Sequence, residues 1–206
     1  MTDSLPLPKI YNEYVEPVGI KSSYAKHGLG KTLYNTVLKY KPKVILEIGV
    51  LHGYSTIAMA QALTVLGEGH IYACDLWEEY TYNHGTMPDV YEALDKYGVS
   101  HYVTCHKKTL ESWLANPGRV DFLHVDVSNT GDIIEKVYNV FKPQIERGAT
   151  MIFEGGSEER DQVEWITKYN KRPITAVKDF VPYEILDERW PSISIITNGY
   201  SNSNVE

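Results

Sequence analysis

From residue 43 onward the chain repeats one pattern, a short apolar run followed by an amphipathic stretch. "KVILEI" precedes "STIAMAQALTVL", "HIYACDLW" precedes "PDVYEALDKYG", and "HYVTCH" precedes "LESWLAN". "VDFLHVDV" then precedes "GDIIEKVYNVF", and "ATMIFE" precedes "EERDQVEWITKY". The short runs, rich in Val, Ile and aromatic residues, read as buried strands; the longer stretches space their apolar residues as helices do. Parallel neighbours need a crossover longer than a hairpin, and a helix after each strand supplies it. Two further extended runs, "ITAVKDFV" and "SISIITN", have no room for a full helix between them and read as an antiparallel ending. The expected fold class is α/β: a doubly wound, mostly parallel seven-stranded sheet with an antiparallel C-terminal strand.

Local signals refine this frame. Ser55 or Thr56 is the expected N-cap of the first crossover helix and Gly67 its stop, while "KPQIERG" is the turn leading to the fifth strand. Residues 1–42 are polar, Tyr-rich and interrupted by Pro6, Pro8 and Pro17, with a helix expected over 31–40. They read as a cap beside the site, 43–200 as the ligand-binding domain, and 201–206, "SNSNVE", as a disordered tail. A length of 206 residues suits one core.

Composition excludes several classes. The net charge of −7, with no block of Lys or Arg, argues against nucleic-acid or anionic-membrane partners. No apolar run approaches the ~20 residues of a membrane span, and "MTDSLPLPKI" has neither the basic start nor the apolar centre of a secretory leader. Cys74 and Cys105 lack metal-type spacing and read as reduced core thiols. A soluble cytoplasmic protein is expected.

Two glycine-bearing stretches compete as ligand loops. "AKHGLGKT" resembles a phosphate loop, but Ala25 replaces its first glycine and "VEPVGIKSSY" is a poor preceding strand, so it reads as a loop opening a helix. "VILEIGVLHGYSTI" lies between the first strand and first crossover helix, where ligands of open parallel sheets bind. Four carboxylates, Glu47, Asp75, Asp126 and Glu154, fall at strand ends, a pattern of sites because unpaired buried carboxylates are costly. Asp75, ending the second strand, is placed to accept bonds from ribose hydroxyls. Leu51 stands where a dinucleotide loop has its second glycine, and Glu47 brings negative charge, both unfavourable for a pyrophosphate. A cationic sulfonium nucleoside suits the loop better than the dinucleotide of an NAD-dependent oxidoreductase.

"LEIGVLHGYST", "ACDLW" and "FLHVDVS" together resemble the class I S-adenosylmethionine-dependent methyltransferases, over roughly residues 43–156. Within that family they are most similar to small-molecule O-methyltransferases and cephalosporin hydroxylase-like proteins. The resemblance implies a Rossmann-like methyltransferase fold, S-adenosyl-L-methionine as cofactor, and methyl transfer to a small-molecule acceptor, a hydroxyl oxygen above all. It also implies positions. Gly49 and Gly53 would flank the methionine part, with Glu47 near its amino group and Ser55 near its carboxylate. Asp75 would hold the ribose, Leu76 and Trp77 would lie beside the adenosine, Lys108 and Thr109 would line the adenine, and Asp126 would approach the methyl group.

An alcohol acceptor needs its proton removed, by a positioned base or after polarisation by a metal. Catechol-type relatives bind magnesium with an Asp after the fourth strand and an Asp-Asn pair after the fifth. This chain offers Asp126 and then Glu154-Gly155, one ligand lost and one lengthened, so no metal residues are assigned and magnesium stays a secondary expectation. The histidine that many relatives carry after the fourth strand is missing from "DVSNTG". Candidate catalytic residues are Asp126, Glu154 and His52, with His84 in the tyrosine-rich loop as a further base; His124 reads as a hydrogen-bonded core residue. Tyr11, Tyr14, Tyr24, Tyr80 and Tyr82 are candidates for an acceptor wall, for ordinary packing, or for a homodimer interface. The altered segments keep a second reading open, the same cofactor bound without methyl transfer, as in a lyase or hydroxylase-like protein.

Overall fold

The computed structural model describes residues 13–200. Tyr11, Pro6, Pro8 and the tail expected at 201–206 lie outside the described residues. Seven strands form one sheet: β1 (Val44–Ile48), β2 (His70–Asp75), β3 (Val103–Lys107), β4 (Phe122–Val125), β5 (Thr150–Glu154), β6 (Glu184–Asp187) and β7 (Ile193–Ile196). Their order is β3-β2-β1-β4-β5-β7-β6. The first five run parallel, and β7 lies antiparallel between β5 and β6. Winding proceeds outward from β1 through β2 to β3, then restarts at β4 on β1's other side. The reversal between β1 and β4 opens a crevice at their carboxyl ends.

Alternation along β1 feeds both cores. Ile45 joins the cluster under α1 (Gly30–Tyr40), α2 (Tyr54–Leu66) and α3 (Met87–Lys96). Leu46 and Ile48 join the opposite cluster, under α4 (Leu110–Ala115) and α5 (Gly131–Ile145). By the same period of two, Glu47 points with Ile45 and His124 with Phe122, towards α2. α2 is buried on every side through its first ten residues, because α1 packs over its outer face; its near-continuous apolar sequence reflects this.

The N-terminal cap is a strap. Both ends of the Gln61 amide bond the backbone of Val15, accepting from its N–H and donating to its carbonyl at 2.8 Å each. The Val18 N–H donates to the Tyr97 hydroxyl at 2.7 Å. These bonds lay the strap across α2 and the end of α3. In the phosphate-loop look-alike, Thr32 donates to Asp187 at 2.6 Å and Arg189 donates to the His27 carbonyl at 2.8 Å. The segment is therefore a loop opening α1, tied to the end of β6.

Four local expectations are corrected. The stretch 174–181 is not a strand: Asp161 accepts from the N–H groups of Ile174 and Thr175 and from the Thr175 hydroxyl, holding it as a 3-10 turn at Thr175–Val177. The strand lies further on, at β6. The helix after β5 is broken into α6 (Glu158–Asp161) and α7 (Glu164–Lys168). α5 continues through Pro143 to Ile145, because Ile134, Val137, Tyr138, Phe141 and Ile145 keep one apolar face against the sheet. Finally, Gly53 rather than Ser55 or Thr56 caps α2, at φ +84°, and Gly67 ends it as expected. Cys74 and Cys105 are free and buried, and burial pushes their thiols up to about 12 and about 11. No helix among the described residues is long and apolar enough to cross a membrane.

Candidate active site

At the carboxyl ends of β1, β2 and β4 lies a cavity of about 740 Å³, within the range of small-molecule sites. Its floor is residues 49–51, Asp75, Leu76 and residues 126–128, with Tyr54 and Ser55 at the start of α2. Lys108 and Thr109 line it beyond β3. The outer wall is residues 21–23 of the strap and residues 82–84, with Tyr80, of the loop before α3. Two bonds cross this wall: Lys21 Nζ donates to the side-chain Oδ1 of Asn83 at 2.8 Å, and the hydroxyls of Tyr80 and Ser128 lie 3.2 Å apart.

Backbone geometry dictates the glycine loop. Gly49 sits at φ +91°, and a Cβ there would overlap the carbonyl of Asp126, so the β1 and β4 ends approach this closely only without a side chain. Asp75 then fastens the loop. Its Oδ2 accepts from the N–H groups of Val50 and Leu51 at 2.7 and 3.0 Å, and its Oδ1 from Leu76 and Trp77 at 2.7 and 3.3 Å. These four amides engage the carboxylate's lone pairs on the protein's own backbone.

Behind the cavity the sheet face carries a buried polar chain. Glu47, fully buried, accepts from the hydroxyls of Ser55 and Thr56 at 2.5 Å each. His124 Nδ1 lies 3.1 Å from Glu47 Oε1, and its Nε2 lies 3.3 Å from the hydroxyl of Tyr24, which the strap delivers. Tyr24 also faces Asp126, whose carboxyl is pushed up to about 6 by burial, partly offset by charge on His124 and the Tyr24 hydrogen bond. Glu154 is held bidentately by Arg160, at 2.5 Å from Nε and 2.9 Å from Nη2. Burial pushes Glu154 up to about 7 even so, with Arg160 pulling the other way. Asn129 ties the two strand ends, donating to the carbonyls of Val125 and Glu154 at 3.0 and 2.9 Å.

A family profile described as a methyltransferase domain matches residues 46–154, just over half of the chain and every cavity element from β1 to β5. The chain belongs to the methyltransferase-domain family. Solved methyltransferases share its fold. The Bacillus cereus O-methyltransferase, in complex with S-adenosylhomocysteine (SAH), superposes with a TM-score of 0.60 at 14% identity, over 87% of this chain and 83% of that one. An SAH-bound methyltransferase of Podospora anserina gives 0.59 at 18%, over 86% and 79%. The Streptomyces achromogenes O-methyltransferase TomG, involved in tomaymycin synthesis and solved with S-adenosylmethionine, gives 0.56 at 17%, over 87% and 92%. No curated protein sequence matches.

Within this methyltransferase-family cavity, the structure brings together Gly49, Ser55, Asp75, Leu76, Lys108, Thr109 and Asp126 of the expected residues. Others stand elsewhere. Glu47 does not reach the cavity, because its side of the strand faces α2, where three donors engage it. Trp77 is fully buried, its indole N–H donating to the His106 carbonyl at 3.2 Å, and serves packing. Gly53 shapes the start of α2 against Val90 without lining the cavity. His52 packs by Gly85 instead of facing the cavity, and Glu154 is locked by Arg160 behind it. His84 and the tyrosines Tyr80 and Tyr82 do line the wall, whereas Tyr14 and Tyr24 lie outside it. Sequence reasoning missed the wall residues Lys21, Ser22 and Ser23.

Magnesium does not fit between Asp126 and Glu154. A hard cation needs carboxylates that reach it together, but Glu154 does not line the cavity, and the Arg160 guanidinium already pairs with both its oxygens and would repel a dication there. Arg160 brings to this place the positive charge that a metal would bring.

Proposed function

We propose that this chain is an S-adenosylmethionine-dependent methyltransferase acting on a hydroxyl oxygen of a small-molecule acceptor. One observation carries the reading: the family's glycine loop opens on a cavity that also presents the half-buried carboxylate of Asp126. The residues present fit the cofactor. Gly49 leaves the backbone bare for close approach. The N–H groups at the start of α2, at Tyr54 and Ser55, suit the methionine carboxylate. Asp75, its oxygens engaged by four amides, holds the loop against which the ribose would rest, and Leu76, Lys108 and Thr109 form the adenine side. When bound, S-adenosylmethionine supplies a methyl group on a positively charged sulfur.

The protein's own part is orientation, exclusion of water and proton removal. Lys21, Tyr80, Asn83 and Ser128 close the wall and so hold the acceptor against the loop. Asp126 is the base. With its carboxyl at about 6 it is largely ionised at neutral pH, yet basic enough to take a proton. The bound SAH and S-adenosylmethionine of the structural relatives, and the O-methyltransferase activity in two of their names, support the same reading.

The test is incubation with methyl-labelled cofactor and a panel of phenols, catechols and sugars. Label should pass to a hydroxyl compound, and Asp126→Asn should lower kcat by about 100-fold or more. Cofactor binding with no label transferred to any acceptor would favour the non-transfer reading instead.

A further inference from the structure

Six Asp, Glu, Lys and His side chains line the cavity, and five of them are accounted for. Asp75 is engaged by four backbone N–H groups, and Asp126 is the proposed base. Glu111 lies 3.9 Å from Lys136, and Lys108 stands over the Trp113 ring, 4.3 Å from its centre. His84 gives its Nδ1 hydrogen to the Tyr82 carbonyl at 2.8 Å, since a carbonyl can only accept. The sixth is Lys21. Its contact is the neutral Oδ1 of Asn83, and among the described residues no carboxylate pairs with it. An amide oxygen takes one of the three ammonium hydrogens and neutralises none of the charge.

Lys21 stands on the acceptor's side of the cavity. It belongs to the strap and reaches the loop before α3, whereas Lys108 and Glu111 lie beyond β3 with the adenine side. Beside it the Ser22 oxygen accepts from the Tyr24 N–H at 3.1 Å, which leaves the Ser22 hydroxyl hydrogen to donate elsewhere. The same outer wall carries Tyr80 and Tyr82, paired edge to face with ring centres 5.5 Å apart. Tyr82 is 75% exposed, so its ring offers apolar area that a flat ligand would cover. The Tyr80 hydroxyl, against Ser128, sets its ring close to the loop that bears Asp126. Charge points the same way. The ammonium and carboxylate of the cofactor cancel, so an acceptor meets the sulfonium and Lys21 on one side of the balance and Asp126 on the other. In a chain of net charge −7, a cation at this wall offsets the general repulsion of an entering anion.

We propose that the acceptor is an anionic aromatic hydroxyl compound, with its acidic group on Lys21, its ring on Tyr80 and Tyr82, and its hydroxyl at Asp126. This names the acceptor class of the methyltransferase reading and rests on it. The acidic group, a carboxylate or a phosphate, takes the ammonium hydrogens that Asn83 leaves and forms a charge-assisted hydrogen bond. Opposite charges at the two ends of the acceptor site also fix its direction. The acid turns to the strap, because at Asp126 it would meet a like charge. Asp126 touches the reacting hydroxyl; Lys21 sets specificity.

Matched pairs of phenols and catechols test this, each pair carrying a carboxylate or a hydroxymethyl group at the same ring position, with hydroxyphenyl phosphate as a third arm. Two quantities are read: transfer from methyl-labelled cofactor, and calorimetric binding to the SAH-loaded full chain. The wild type should favour the acid over the alcohol by about tenfold in kcat/KM and in affinity, and the preference should shrink as salt rises. Lys21→Gln should bring the ratio close to one, and Lys21→Glu should invert it. Lys26→Gln, in the same segment but outside the cavity, should leave the ratio as in the wild type. A phosphate that outdoes the carboxylate would name the acidic group and support the site equally. A ratio near one in every pair, or a preference that Lys21→Gln leaves unchanged, would overturn the proposal. Acid-selective binding that depends on Lys21, with no label passed to any acceptor, would count against the methyltransferase reading alone.

Discussion

Arg160 decides how the charge at the end of β5 is tolerated. It and Glu154 are both nearly excluded from water, and their bidentate contact is reinforced by the Trp165 ring 5.3 Å from the guanidinium carbon. Removing one partner of such a pair strands the other, so Arg160→Met should cost about 3–5 kcal/mol in urea unfolding. Arg160→Lys should recover only part of that, because an ammonium cannot make the two-pronged contact. Asp126 has a different signature. Its carboxyl is lifted from an ordinary 3.8 to about 6, so between those values the native state keeps a proton that the unfolded chain has released. Its contribution to stability is then fully present below pH 3.8 and is lost as pH rises through about 6. The difference in unfolding free energy between wild type and Asp126→Asn should fall across that window and flatten above it. A difference that stays level or rises would contradict the raised carboxyl of Asp126.

At the scale of elements, the strap and the glycine loop are held by side chains that sequence separation hides. Gln61 is buried within α2 yet is spent on the backbone of Val15, far away in the chain. Gln61→Leu keeps the volume and removes both bonds, so hydrogen exchange should quicken in residues 14–24 while α5 stays protected. The strands and crossover helices were legible because apolar runs and helical spacing are local signals. The strand at β6 was not, because the turn before it is fixed by Asp161, thirteen and fourteen residues from the amides it accepts. Glu47 was misassigned for a similar reason. Its place at a strand end was visible, but the period of two that turns it towards Ser55 and Thr56 outweighs that place. The same alternation, His124-x-Asp126 on one face with Glu47 beside it, was the available signal for the polar chain, and it needed the strand register to be read.

For the whole molecule, the division of labour follows the winding of the sheet. The half from β1 to β3 supplies the glycine loop, Asp75, Leu76, Lys108 and Thr109. The β4 and β5 ends supply Asp126, Asn129 and Glu154. The strap closes over the reversal point from outside and reaches behind the floor to His124 with Tyr24. Carboxylates at several strand ends pointed to a site from sequence alone, and the fold gathers them at one edge of the sheet. It also separates them by contact: Asp75 fastens the loop, Glu47 bonds His124, Glu154 pairs with Arg160, and Asp126 is the one we propose as the carboxylate for chemistry.

The central claim is that this cavity holds a sulfonium nucleoside, and calorimetric titration of S-adenosylmethionine and SAH tests it most directly. The account predicts one site per chain with micromolar-range affinity. Asp75→Asn should weaken that binding severely and also destabilise the unliganded protein by about 1–3 kcal/mol, because one side-chain oxygen cannot serve four backbone N–H groups. Absence of binding by both compounds, or tighter binding of NAD than of either, would contradict it.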